Sequence, residues 1–408
     1  MEVLIYMTKT LNDSVAIICD DLTEFFVYRK AIDRMIKENI PVDIIVPYDS
    51  GYNGLAEHTL KEIKKIGYSP KDDVPKNKKY KVLLTPYPGL EAVKRTNYVY
   101  QLQLSYGAIS TKPYPTYLPI TLLDYDGIFC FNNYDKDFYG AYGGKIYTIP
   151  YWRYHNFKKK PQHRNKPTLL ILPTFGSDTS LINLLTNELI EQLKNSYYVI
   201  TKAHHAIHFG VDGKEPLQIM KKVSDEFYDS DTPIDELLKK ADLVLSDNSG
   251  AIFESICAGI PVAVFSKNPN SRHLETIDTI QSKIITQKIL PYTDDPKHVL
   301  QMLSNITSYY KKQQKLRSEL FISDQRDPFK KFITIIKYYL SLNEKNDYYK
   351  ILHDIMLKEW YKDKKTIEEQ SIIIQKQKQE IAALLNSTSW KITKPVRSLK
   401  RIWRTRVK

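Results

Sequence analysis

The chain has 408 residues, 42% of them hydrophobic, enough to bury the cores of two ordinary domains with a further extension. Its formal net charge is +13, which points to an anionic partner such as a nucleotide, a polyphosphate or a membrane surface. Cys19, Cys130 and Cys257 lie far apart in apolar runs with no CxxC pair, which argues against a disulfide framework or a thiolate metal site and fits a reducing cytosol.

The amino terminus has no basic stretch leading into an apolar core, so no signal peptide is expected. No run approaches about 18 uninterrupted apolar residues, so no membrane span is expected. Short apolar runs then alternate with helical patterns. Strands are expected at Val15–Cys19, Val42–Val46, Lys81–Thr85, Tyr98–Leu104, Gly127–Phe131 and Lys145–Ile149, with helices near Thr23–Glu38 and Leu55–Ile66. A basic, Pro-containing stretch without clear period, TIPYWRYHNFKKKPQHRNKP (148–167), reads as a linker. A second series follows, with strands at Thr168–Leu172, Tyr197–Thr201, Leu243–Ser246, Val262–Phe265 and Lys283–Thr286. Its helices fall near Thr179–Lys194, Pro233–Lys240, Ala251–Ala258 and Pro296–Arg317. Strands rich in Val and Ile, unalternated and separated by helices, indicate parallel sheets covered on both faces. The expected class is therefore α/β, with two doubly wound, Rossmann-like domains, an amino-terminal one over 1–155 and a second over 156–340.

The extension over 341–408 differs in composition. Trp360, Ile367, Ile374 and Ile381 recur every seven residues, but Lys364, Ser371, Lys378 and Leu385 complete only half of a coiled-coil seam. A long helix with one apolar stripe fits, and self-association stays open. The last stretch, NSTSWKITKPVRSLKRIWRTRVK (386–408), carries eight Lys or Arg and no acid. From Val396 onward, Val396, Leu399 and Trp403 share a stripe among basic residues, which suits an interfacial helix on an anionic membrane. A solvated tail is the other reading. No nucleic-acid module is present, so no nucleic-acid partner is expected.

Open parallel sheets bind ligands beyond the carboxyl ends of their strands. One such end reads LVLSDNSGAIFESICAGIPVAVF (243–265). Ser246, Asp247, Asn248, Ser249 and Gly250 form a loop between strand and helix. Ser249 or Asn248 can cap that helix, Gly250 lets a ligand approach the backbone, and the first turn offers N–H groups to a phosphate. Glu254, on the same helix, is placed to accept hydrogen bonds from a ribose diol. An ordinary capped helix between two strands fits the same residues. Gly259 is expected at the helix C-cap. A second strand end, YYVITKAHHAIHFG (197–210), carries Lys202 and His204, which can face a diphosphate, and His205 and His208, which read as loop histidines. No Cys or acid stands near these histidines at ligand spacing, so no metal is expected there.

These segments resemble the CDP-glycerol glycerophosphotransferase family of teichoic acid polymerases and primases. LLILPTFGSD (169–178) is similar to its "PTWR" strand and loop, ITKAHH (200–205) to its basic–x–His–Pro motif, and residues 233–265 to its "DLL..aD.lItDYSS..FD" block. The matches cover about 100 residues, in order and at matching spacing. The resemblance implies the GT-B fold, two Rossmann-like domains facing a cleft, with no cofactor. It implies that His204 contacts the donor diphosphate, that Ser246, Ser249 and Gly250 form the phosphate loop with Asp247, that Thr174 lies on the donor side, and that Glu254 replaces the family's Asp. The family's first domain carries a His-Gly pair whose His is the base for the acceptor. Here Tyr106-Gly107 stands in its place, and a Tyr hydroxyl with an ordinary pKa near 10 is a poor base at neutral pH. Either Tyr106 positions the acceptor, or a neighbour such as His155 or Asp126 takes the role.

Other signals are weaker. DYDG (124–127) has DxD spacing but reads as a turn before a strand, and YGAYGGK (139–145) lacks phosphate-loop spacing. Tyrosines crowd from Tyr98 to Tyr154 as packing residues, with some able to line an acceptor groove. The ending STSWKITKPVRSLKR (387–401) resembles the tails of bacterial surface-polysaccharide glycosyltransferases. The expected activity is transfer of a polyol-phosphate or sugar group from a nucleotide-diphosphate donor, CDP-linked first and UDP- or GDP-linked second, to a polysaccharide or lipid-linked acceptor at the cytosolic membrane face. A nucleotide-sugar-dependent GT-B glycosyltransferase and a non-catalytic GT-B-like binding protein are the alternatives.

Overall fold

The computed structural model describes residues 14–342 apart from 49–53, 76, 87–90, 106, 110–124, 141–144, 162, 177–179, 211–212, 268–279 and 323–326, together with Lys376. The chain divides into two units, residues 1–344 and 345–408, and all described residues but Lys376 belong to the first. The heptad positions and the basic tail lie outside the described residues.

The first series of apolar runs forms β1 (Val15–Ile18), β2 (Val42–Ile45), β3 (Lys79–Thr85), β4 (Asn97–Leu104), β5 (Gly127–Cys130) and β6 (Ile146–Thr148). They make one sheet in the order β2-β1-β3-β4-β5-β6, with every pairing parallel. The second series forms β7 (Thr168–Leu172), β8 (Tyr198–Lys202), β9 (Glu226–Tyr228), β10 (Leu243–Ser246), β11 (Val262–Phe265) and β12 (Tyr292–Thr293), ordered β12-β11-β10-β7-β8-β9 and again all parallel. β1, β7, β10 and β11 are buried along their whole length, as unalternated Val, Ile and Leu require when helices cover both faces. The direction of winding reverses between β7 and β10. That is the switch point where sheets of this kind open a crevice at their carboxyl edge.

Three elements differ from the sequence reading. Lys283–Thr286, expected as a strand, belongs to the helix Ile280–Thr286, because a four-residue run with three β-branched residues is too short for periodicity to separate strand from helix. The long helix expected over Pro296–Arg317 is a 3₁₀ turn Pro296–His298 followed by the helices Val299–Ser304 and Thr307–Leu320, broken at Asn305. The stretch Thr179–Lys194 contains a 3₁₀ turn, Leu181–Leu184, and the helix Asn187–Ser196, which starts at a Thr186 cap.

The two sheets share a core. The stretch read as a linker buries Tyr151, Trp152 and Tyr154, and the Trp152 indole donates to the Val27 carbonyl at 2.7 Å. The helix Pro328–Ser341 lies against the first sheet, where Phe332 packs on Phe129 and the Tyr339 hydroxyl donates to the Asp126 carbonyl at 2.6 Å. Gly127 is small because a side chain there would drive into the Tyr147 ring, 2.6 Å from the position of its Cβ. Cys19, Cys130 and Cys257 are all buried and unpaired with one another.

Candidate donor site at the switch point

The Ser246–Gly250 loop leaves β10 at the switch point and enters the helix Ala251–Ala258. Ser246 and Asp247 are fully buried, Asn248 and Ser249 partly so, and Gly250 is exposed. Ser246 Oγ donates to the Leu172 carbonyl at 2.9 Å and stands 3.1 Å from Ser249 Oγ. Asp247 Oδ2 accepts from the backbone N–H of Thr174 at 2.7 Å and of Leu181 at 3.1 Å. This carboxylate thus ties the loop after β7 to the loop after β10, holding the Thr174 segment beside the Ser249 segment. Gly250 has ordinary helical angles, and the space where its side chain would stand is open. The helix begins without a full side-chain cap; Ser249 Oγ accepts only from the Ala251 N–H, at 3.3 Å. It ends at Gly259 in the left-handed conformation, φ +76°, as expected of a C-cap glycine.

His204 stands at the end of β8, one strand beyond β7. Its Nδ1 accepts from the Ala206 N–H at 3.2 Å, which places the proton of the neutral ring on Nε2 as a donor. The ring packs against Phe175, centroids 4.9 Å apart, so the Thr174 loop also orients His204. The carboxyl ends of β10, β7 and β8 therefore carry a row from Ser249 through Thr174 to His204. It spans two strand spacings, about 10 Å, a length suited to a nucleoside diphosphate.

The row continues into the first domain. His205 Nδ1 lies 3.4 Å from Asp21, which stands in the turn after β1 and caps the helix Leu22–Lys37. Both carboxyl edges therefore face one cleft. Lys202 is placed differently from the expectation that it faces a diphosphate. Its ammonium donates to the Ala203 and Ser230 carbonyls at 3.2 and 3.3 Å, close to Asp21, Asp229 and Asp231. Burial, reinforced by the Arg153 charge, pushes its pKa down to about 8 against the pull of those carboxylates.

Glu254 also differs. It is 8% exposed, and its oxygens are taken by the protein rather than left to a ribose. Oε1 accepts from the Ala108 N–H at 2.9 Å and the Tyr151 hydroxyl at 3.1 Å; Oε2 accepts from the Tyr154 hydroxyl at 2.6 Å. Arg153 lies 3.9 Å away and donates to Asp235 at 2.9 Å. Burial first, and then the Glu254 charge, raise both tyrosine pKa values well above the usual range, so both hydroxyls remain donors. The aromatic YWRY run of the expected linker is thus part of the seam between domains. Its density of rings was the signal available in the sequence.

Tyr106 lies outside the described residues. Its neighbours are anchored at the end of β4: Ser105 Oγ donates to the Gly107 carbonyl at 2.9 Å, and the Asn132 amide donates to the Ala108 carbonyl at 2.9 Å. Of the other candidate bases, Asp126 precedes β5 and accepts from the Gln101 N–H at 2.9 Å. It stands at the amino edge of the sheet, away from the cleft, so it is not a base for a substrate held at the carboxyl edges. His155 follows Tyr154 in the linker and is partly buried.

No protein-family model matches the sequence, and no curated protein matches it. Solved structures do match. A putative UDP-N-acetylglucosamine 2-epimerase from Listeria monocytogenes aligns over 82% of this chain and 98% of its own, with a TM-score of 0.52 and 11% identity. A UDP co-structure of S. aureus MnaA aligns over 82% and 98%, with a TM-score of 0.52 and 12% identity. The wall teichoic acid polymerase TagF in an H444N form soaked with CDPG aligns over 81% and 89%, with a TM-score of 0.49 and 12% identity. At these identities the likeness to the first two is one of fold: the chain has the GT-B architecture of two parallel α/β domains whose strand ends face one another.

Proposed function

We propose that the protein is a transferase that moves a polyol-phosphate or sugar group from a nucleoside-diphosphate donor to a surface-polymer or lipid-linked acceptor. The observation that carries the reading is the tied row at the switch point. Asp247 fixes the Thr174 loop, Phe175 of that loop orients His204, and the Ser246–Gly250 loop opens into a helix start. In transfer, the acceptor hydroxyl attacks the group carried by the donor, its proton passes to a base, and the bond to the departing nucleotide phosphate breaks. Negative charge grows on that phosphate. The His204 Nε2–H and the positive end of the helix dipole beyond Ser249 are suited to that charge, which preorganised sites stabilise most. CDP-linked donors come first because the sequence motifs resemble a CDP-glycerol family. UDP-linked donors come second, in keeping with the UDP named in the S. aureus neighbour. The acceptor side is the first domain, with Tyr106 between anchored neighbours at the end of β4. Action at the cytosolic membrane face, through residues 386–408, belongs to the same proposal; among the described residues no helix is long and apolar enough to cross a membrane.

The test is transfer by purified His204→Ala with its fold checked by circular dichroism. The expected result is a fall of at least about 10²-fold, typical of losing one preorganised donor. Near-wild-type turnover would remove His204 from the chemistry. Donor binding without turnover in the wild-type protein would favour a non-catalytic binding protein.

A further inference from the structure

His58 and Glu62 are four residues apart on the helix Leu55–Lys65, so both leave the same face. Across the cleft from that face is Asp231, in the loop after β9 of the second sheet. His58 Nε2 and Asp231 Oδ1 are 2.7 Å apart, and one ligand atom from each of His58, Glu62 and Asp231 lies within 4.8 Å of the others. His208 and Phe209 close one side, each ring centroid 5.5 Å from that of His58. Glu62 also pairs with Lys65, and Ser230 Oγ donates to Asp231 Oδ1 at 3.2 Å.

We infer that His58, Glu62 and Asp231 form a zinc site that joins the two domains across the cleft. One imidazole nitrogen and two carboxylate oxygens are a ligand set suited to Zn²⁺. Ca²⁺ and Mg²⁺ take about six or more oxygens and gain little from an imidazole. With Zn–N and Zn–O distances near 2.0–2.2 Å, tetrahedral ligands of one ion stand about 3.4 Å apart, so the His58–Asp231 pair, now 2.7 Å apart, would open slightly and the other ligand atoms, within 4.8 Å of one another, would draw in by rotamer adjustment. Two carboxylates and a neutral imidazole carry two negative charges. Lys65 beside Glu62 and Lys202 near Asp231 offset part of that charge; a divalent ion bound directly by the three side chains would displace Lys65 from Glu62. Three protein ligands leave a fourth position for water or for His208. Because the ligands come from both domains, the ion binds only when these faces meet and so stabilises their contact. The sequence hides this site: 173 residues separate His58 from Asp231, and the acid missing beside the 204–208 histidines is supplied through the fold. The inference is independent of the donor chemistry proposed above.

The experiment is calorimetric titration of the untagged full chain with zinc chloride, repeated on His58→Ala, Asp231→Asn and, as a control, His298→Ala, whose side chain is exposed and makes only a local ion pair with Asp295. The expected result is one Zn²⁺ per chain, with a rise in melting temperature. Affinity should fall at least about 10-fold in the first two variants, since even outer-shell partners of a metal carry that much, and stay unchanged in the third. If Asp231→Asn does not fold, Glu62→Gln, on the half-buried cleft face of the helix Leu55–Lys65, takes its place. Absence of zinc binding overturns the inference. So does binding that survives both substitutions, which would place the ion elsewhere, and so does Mg²⁺ or Ca²⁺ binding without Zn²⁺.

Discussion

Replacing Glu254 by Ala should destabilise the protein more than any other single change at the cleft. The substitution removes the acceptor of three donors at once, the Ala108 N–H and the hydroxyls of Tyr151 and Tyr154, in a site where the residue is 8% exposed. It also removes the second carboxylate facing buried Arg153. Hydrogen bonds to a charged acceptor contribute about 1.5–3 kcal/mol each, but three that share one carboxylate do not add. Breaking a buried charged cluster from one side typically costs about 3–5 kcal/mol. We expect that range for Glu254→Ala, equivalent to a fall in melting temperature of about 4–7 °C for a folded unit of this size. Glu254→Gln keeps one carbonyl oxygen for Ala108 and Tyr151 and turns an amide toward Tyr154, whose hydroxyl can accept; about 1–2 kcal/mol is expected. Urea unfolding of the three proteins measures both values. A Glu254→Ala protein within about 1 kcal/mol of wild type would refute the role of this carboxylate as the tie between Ala108 of the first domain and the helix of the second.

Lys202 supplies a pH signature. Its folded pKa, about 8, lies below the ordinary 10.5, so between those values the unfolded chain binds more protons and stability rises with pH through this group. Urea midpoints from pH 7.5 to 10 should climb more steeply in wild type than in Lys202→Met, and equal slopes would refute the burial of the ammonium. Deleting residues 386–408, with eight basic residues and both Trp390 and Trp403, should release the protein from anionic liposomes while leaving transfer to a soluble acceptor analogue intact. Full-length binding should weaken as salt rises. Equal sedimentation of both forms would show that the tail is not the anchor.

The sequence reading succeeds where burial dictates residue type. β7, β10 and β11 and the helix Ala251–Ala258 fall at their expected residues, because continuous Val, Ile and Leu bounded by Ser-Asp-Asn-Ser-Gly and by Gly-Ile-Pro leave few alternatives. β9 and β12 escape it. They are edge strands of three and two residues, and EFY and YT carry too little pattern to register. The loop at Ser246–Gly250 is legible because its chemistry is contiguous. The partners of Glu254 are not: Ala108 is 146 residues away and Tyr154 100, and nothing local distinguishes a carboxylate bound to ribose from one bound to tyrosines. Asp126 illustrates the same limit, since only the sheet shows which edge of β5 it occupies.

The central claim, that the switch-point row holds a nucleoside diphosphate, is tested most directly by thermal melting of the full chain with CDP-, UDP- and GDP-linked donors, alongside Asp247→Ala. A donor present at 100 times its dissociation constant adds about 2.7 kcal/mol of stability. One nucleotide class should therefore raise the wild-type melting temperature by several degrees, with the shift lost in Asp247→Ala, which has no oxygen left to accept from Thr174 and Leu181 and so unties the two loops. No shift with any of the three classes, or an equal shift in the variant, would contradict the account.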